Sequence, residues 1–250
     1  MILAEVSRFI NGKICAMRKH RPDAKPRPRL DLGLFVQAAI SLLDEEGLGG
    51  LTTRRLAARL GVQSPALYWY VRDKDELLDL VADAICAPAL EPTAASTADR
   101  GLGWRERLEA VMRSYRAVLR SHRDAPRLLA DRPPVGPVRR RLADRAVGLV
   151  LEAGFPEADA AMISLLLSDY VISIVSEEMR LEARASEKAQ GKVEESLAQD
   201  PQEYRNLVKI APHLAAVRPE RLFEVGLAVL LDGIEGRLDR IRPEARMHQA

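Results

Sequence analysis

Aromatic side chains make up only 4% of this 250-residue sequence, cysteine occurs twice, and β-branched residues are thinly spread. Strands draw on Val, Ile, Thr and the aromatics, whereas the Ala, Leu, Arg and Glu that abound here favour helix, so the shortage argues for an all-α fold. Cys15 and Cys86 are far apart, with no C-x-x-C spacing and no histidine cluster beside them. A disulfide framework and a structural zinc site are therefore excluded, and both cysteines read as free thiols. An unbroken apolar run of about 18 residues is missing, and so is the basic, apolar and small-residue succession of a secretory leader. The expectation is a cytoplasmic protein with no membrane partner. G-x-S-x-G, H-E-x-x-H, a Walker loop and G-x-G-x-x-G are all missing too, which leaves an enzyme without a motif and implies no cofactor and no metal.

What is present is the makeup of a folded chain, 47% apolar and 30% charged, long enough for one or two domains with a sizeable core. The net charge of +2 is too small to identify a nucleic-acid partner, so the placement of charge decides. Residues 1–30 hold Arg18, Lys19, Arg21, Lys25, Arg27 and Arg29 among Pro22, Pro26 and Pro28, which forbid a continuous helix. Such a segment reads first as a flexible, solvated leader, a reading compatible with a basic arm that follows phosphates or enters a minor groove. Met17 is an alternative start, which would set residues 1–16 outside the native protein.

A first helix is expected after Asp31 as N-cap, with Leu34, Phe35, Ala38, Ala39, Leu42 and Leu43 at helical spacing, ending at Gly47 and turning at Gly49 and Gly50. The stretch 51–78, LTTRRLAARLGVQSPALYWYVRDKDELL, then carries two short helices about a tight turn and the start of another. Thr52 or Thr53 caps the second helix, Leu56, Ala57 and Leu60 face inward, and Gly61 supplies the positive φ of the turn. Val62 resumes the core, Ser64 caps the third helix, and Pro65 takes its first position. Leu67 and Val71, four apart, anchor that helix and leave Ala66, Tyr68, Trp69 and Tyr70 facing wholly or partly outward. Three large aromatics in succession do not all fit inside so short a helix; Tyr68 or Trp69 singly could brace the core, but the helix as a whole suits groove reading. A fourth helix follows from Lys74 to about Ala87, where Pro88 and Pro92 begin a break.

These residues resemble the TetR family, and within it the tetracycline repressors. The resemblance rests on LTTRRLAARLGV at 51–62 and PALYWYVRDKDELLD at 65–79, and continues loosely through SHRD at 121–124 and GF at 154–155. It implies a homodimer whose recognition helices enter successive major grooves of a palindromic double-stranded DNA operator. By position, Arg54 matches a base-reading arginine, Thr53 a phosphate contact and Lys74 a phosphate-binding lysine. Ser64, Pro65, Ala66, Tyr68, Trp69 and Tyr70 fall on positions that touch bases or backbone. Ser64, Ala66 and Tyr70 replace the glutamine, threonine and histidine of the tetracycline repressors, so a related but different operator is expected. The resemblance divides the chain into an arm at 1–30, a helix-turn-helix domain at 31–90 and a ligand-binding and dimerisation domain at 91–250.

In that second domain helices are expected at 104–121, 124–130, 137–153, 157–184, 202–210 and 219–238, with a polar span from about Ala185 to Pro201. The 157–184 helix is apolar around most of its circumference and is expected to be buried on several sides. With the last helix, rich in Leu222, Phe223, Val225, Leu227, Val229, Leu230 and Ile234, it would form a four-helix interface with a second copy.

The resemblance further places a small-molecule effector here. Leu129 stands at the position of the metal-ligating histidine of tetracycline repressors, and Leu90, Val111 and Ala146 at polar drug-contacting positions. Tyr115 keeps an aromatic and Glu177 an acidic position. Leucine offers no ligand to a divalent cation, so an apolar or aromatic effector other than magnesium-tetracycline is expected. Glu177 and Glu178 have the alternative of ion pairs with Arg180 or Arg184. Asp169 reads either as a buried effector contact or as a hydrogen-bonded structural residue, and His122 and His213 are isolated. The expected function is a ligand-released repressor. Two alternatives remain at this point: a small-molecule body with a vestigial DNA head, and an activator or a regulator gated by a protein partner.

Overall fold

The computed structural model describes residues 32–91, 101–183 and 202–247. The basic arm, the Asp31 cap, Cys15, the break at Pro92 and the polar span at 185–201 lie outside the described residues. Among the described residues every regular element is helical.

Helix α1 (Leu32–Gly50) buries Phe35, Val36, Ala39, Ile40, Leu42 and Leu43. Its inner face is thus shifted from the expected one, because Leu34 is exposed and Val36 and Ile40 are inside. Gly47 breaks the helix in the left-handed region at φ 73°, as expected of a glycine there, but a helical turn resumes beyond it, so Gly49 and Gly50 are not the loop. Helix α2 (Thr53–Arg59) is capped by Thr52, whose hydroxyl accepts from the Arg55 N–H at 3.3 Å. Leu56 and Ala57 are buried, whereas Leu60 and Val62 are only half-buried. Gly61, at φ 64°, turns the chain where a Cβ would be strained.

Helix α3 (Ser64–Leu67) is a single turn, and its cap differs from expectation. Gln63 is the N-cap and makes no side-chain bond, so Ser64 is the first helical residue and Pro65 the second. The missing proline N–H costs nothing at either position, which is why sequence alone misplaces the start by one. Leu67 and Val71 are buried as anchors, joined by a 3.1 Å bond from the Val71 N–H to the Leu67 carbonyl. Helix α4 (Lys74–Ile85) starts at the Asp73 cap, whose carboxylate accepts from the Glu76 N–H at 2.8 Å. A short 3-10 turn, Ala87–Leu90, continues it.

Then come α5 (Trp104–Arg120), α6 (Ala125–Ala130), α7 (Pro137–Ala153), α8 (Glu157–Ala183), α9 (Arg205–Ala215) and α10 (Pro219–Met247). α9 runs through Pro212 and α10 passes Leu238, both farther than turn signals suggest. The chain divides into two compact units within α8, residues 1–172 and 173–250. In the first, α1 packs on α2 and α4, α2 on α3, and α4 on α6, α7 and the 3-10 turn; α5 packs on α6, α7 and that same turn. In the second, α10 buries Phe223, Leu227, Leu231, Ile234 and Leu238 as a stripe of three- and four-residue steps.

Helix α8 has two faces. Ala160, Ile163, Leu167, Val171 and Val175 are buried, while Met162, Leu165 and Leu166 are exposed. The expectation of burial on several sides therefore fails within one chain. The stretch Glu157–Glu182 is long and apolar enough to cross a membrane by length and composition, with mean hydropathy 1.7, and only 28% of that window is buried.

Candidate functional site

The turn Leu60–Gln63 holds α2 and α3 against each other and α1 packs on α2, so the residues expected to read DNA share one small body. Tyr68 is 53% exposed and Trp69 46%, which leaves the large apolar rings of an otherwise well-filled head facing out. Tyr70 is only half-buried, its ring stacked on Phe35 at 5.5 Å between centroids. Its ring thereby braces α1 as well as bordering the outer face. Pro65 and Lys74 are exposed, while Thr53, Ser64 and Ala66 are half-buried.

The three arginines of α2 differ in what holds them. Arg55 pairs with Glu46, and Arg59 forks onto Glu45, one bond at 2.9 Å, so both are tied to the end of α1. The Arg59 hydrogen bond holds the Glu45 carboxyl below its ordinary range. Arg54 is exposed and has no such tie among the described residues.

Two polar clamps flank α6. Before it, the Asp44 carboxylate of α1 meets the His122 Nδ1 at 3.0 Å and the Arg123 N–H at 3.0 Å. Asp124, itself at φ 57°, accepts from the Leu48 N–H at 2.8 Å. After it, Asp75, Asp79 and Asp83 recur every fourth residue on one face of α4. Arg132 donates to Asp79 at 2.7 Å and to Asp75 at 2.8 Å. Asp83, buried, accepts from the Arg139 N–H at 2.8 Å and the Val138 N–H at 3.3 Å, and so caps the N-terminus of α7. A Cβ on Gly136 would stand 2.2 Å from that carboxylate, so only glycine admits the contact. Burial raises the Asp83 pKa against the opposing pull of those N–H groups and of Arg139 and Arg140. The Arg139 guanidinium turns back to the Pro133 carbonyl at 3.0 Å and the Arg132 carbonyl at 2.6 Å. Sequence reading passed over these residues, although aspartates at a four-residue period in an otherwise apolar helix are a legible signal.

Of the expected effector-contacting residues, Val111 and Tyr115 lie on the buried face of α5, Leu129 is buried on α6, Ala146 is buried on α7, and Leu90 ends the 3-10 turn half-buried. Those elements pack on one another around α5. Burial drives the Tyr115 phenol well above its ordinary pKa, and its hydroxyl is hydrogen-bonded to Ser168. Cys86 is buried and pushed up to about 12 by desolvation, an inert thiol. Asp169 is exposed, which corrects the expectation of a buried carboxylate: it lies about 140° round α8 from the inward Ser164. Glu177, in the second unit, is paired with Arg180, the ion-pair alternative weighed for it. Among the described residues no three metal-capable side chains converge.

The head and the rest of the chain each match a known family. Residues 35–81 match "Bacterial regulatory proteins, tetR family", and residues 97–238 match "Tetracyclin repressor-like, C-terminal domain". The chain is 35% identical to the class A tetracycline repressor protein of transposon 1721 from Escherichia coli, over 84% of its own length and 92% of that relative. Among solved structures, apo ActR of Streptomyces coelicolor superposes with TM-score 0.74 at 29% identity, covering 86% of this chain and 100% of that one. The same protein with actinorhodin gives 0.71 at 29%, covering 82% and 96%. BioQ with its double-stranded DNA operator gives 0.55 at 26%, covering 80% and 94%.

Proposed function

The chain belongs to the TetR family of bacterial regulatory proteins, and from that membership we infer that it represses transcription at a palindromic operator and releases it when a small apolar or aromatic molecule binds. The observation that carries this reading is the outward presentation of Arg54, Tyr68 and Trp69 on a head whose fourth helix is bonded to the body through Arg132 and Asp83. Arg54 suits a bidentate grip on guanine, and Thr53, Ser64, Pro65, Ala66, Tyr68, Trp69, Tyr70 and Lys74 supply the remaining base and phosphate contacts. Residues 31–90 act as the reading head, 91–250 as the effector and dimer body, and the basic residues of 1–30 as an arm on the phosphates.

The exposed apolar face of α8 at Met162, Leu165 and Leu166 supports a homodimer, because a second copy covers what water otherwise meets. A charged substitution there, Leu166→Glu, is expected to convert dimer to monomer in sedimentation. Release follows from linkage: an effector that prefers a body shape incompatible with two heads on the operator weakens DNA binding by the same coupling free energy. The ActR complex with actinorhodin supports an aromatic effector. Leu90, Val111, Tyr115, Leu129 and Ala146 line its site in this reading, which needs neither cofactor nor catalysis.

Selection of random double-stranded DNA on the full chain tests the function. A palindromic consensus is the expected result; no enrichment refutes it and favours a body whose head no longer reads.

A further inference from the structure

The interior face of α8 holds a polar atom that no described residue pairs with. Ser164 Oγ is inaccessible to water and has no hydrogen-bond partner among the described residues. Native interiors rarely leave such a group unpaired, and each instance calls for a specific reason. On the helical wheel Ser164 lies in the arc of Ala160, Leu167 and Val171, all buried, and away from exposed Met162, Leu165 and Leu166. It faces the interior of its own chain, not the surface that a second copy would cover.

One turn further along the same face stands Ser168, which holds the Tyr115 hydroxyl from α5. Val111 and Met112 stand one turn before Tyr115 on the same buried face of α5, and both are apolar. The region therefore offers one unoccupied hydroxyl and one hydroxyl pair beside apolar side chains, with Arg139 and Asp169 the charged side chains that act on Tyr115. A neutral molecule with an apolar body and a hydroxyl or carbonyl oxygen fits that chemistry. An anion or ammonium fits less well, since burial outweighs the opposing pull of Arg139 and holds the Tyr115 phenol in its neutral form.

We propose that Ser164 is the polar anchor of the effector site, accepting from or donating to an oxygen of a neutral, largely apolar ligand, with the Tyr115–Ser168 pair marking the next polar position along α8. This rests on the reading of the body as an effector site. It adds which atom selects the ligand, and it gives a use to a hydroxyl that stands where alanine would pack.

The test uses 1-naphthol and naphthalene, which share a ring frame and differ by one hydroxyl, with the full-length wild-type protein and the Ser164→Ala and Ser168→Ala variants. Calorimetry is expected to show the wild type favouring 1-naphthol by roughly three- to tenfold, the worth of one neutral hydrogen bond, and Ser164→Ala losing most of that preference while keeping its affinity for naphthalene. Ligand-free Ser164→Ala is expected to melt no lower than wild type, because it removes an unpaired group. Equal discrimination by wild type and Ser164→Ala overturns the anchor and leaves the effector reading standing. So does a clear loss of melting temperature in Ser164→Ala, which would show the hydroxyl paired within the chain, or a preference abolished by Ser168→Ala alone. Failure of the wild type to bind either probe removes the aromatic effector reading, and the anchor with it.

Discussion

The Arg132 guanidinium, in the turn after α6, donates to the Asp79 carboxylate of α4 at 2.7 Å while its other branch reaches Asp75 at 2.8 Å. Arg132 is largely shielded whereas Asp75 is open to solvent, so the Asp79 branch carries most of the interaction. This fork ties the turn next to Leu128 and Leu129 to the helix that enters the reading head. Arg132→Ala is expected to cost about 1 kcal/mol of stability and to weaken hydrogen-exchange protection across 75–85. Arg132→Lys restores charge but not the fork, and should recover less than half of that protection.

Arg54 and Arg55 are neighbours with opposite constraints, which makes them a matched pair. Arg54→Ala is expected to lower affinity for the selected operator by about 1–3 kcal/mol and to relax one base position. Arg55 is committed to Glu46, so Arg55→Ala should weaken binding less and leave the base preference intact. Gel shifts at one salt concentration decide, and equal losses in the two variants remove Arg54 from base reading.

Asp83 titrates above its ordinary value because it is buried. The native state therefore holds its proton more tightly than the unfolded chain, and this group's contribution to stability falls as pH rises from about 3.8 through the raised value. Asp83→Asn lacks that dependence. Measured between pH 4 and pH 7, the melting temperature of the Asn variant relative to wild type should thus improve as pH rises and level off once the raised value is passed, although the capping bonds to Val138 and Arg139 are weakened throughout. A constant difference across that range would show that Asp83 titrates normally.

Leu129 is buried and presents only carbon where the resemblance places a metal-ligating histidine. Titration with tetracycline and magnesium is expected to give no binding at micromolar concentrations. Tight, magnesium-dependent heat release would overturn the alignment of Leu129 and the choice of effector class.

Helical periodicity, the TTRRLAARLGV turn with its Gly61, and the run of aromatics at 68–70 determined the fold class and the reading head without coordinates. Those features are local: capping, a positive φ and a four-residue spacing act within one or two turns, so a linear reading captures them. The exact cap of α3 escaped because Ser64 and Pro65 are compatible with two adjacent starts. Tertiary structure alone decided the rest. It turned Asp169 out to solvent and left one side of α8 uncovered, it set the aspartates of α4 against Arg132 and the start of α7, and it shut Ser164 away from any partner among the described residues. Each of these depends on which elements meet across 50 or more residues of chain, and burial and pairing energies are properties of such meetings, not of the residues that enter them.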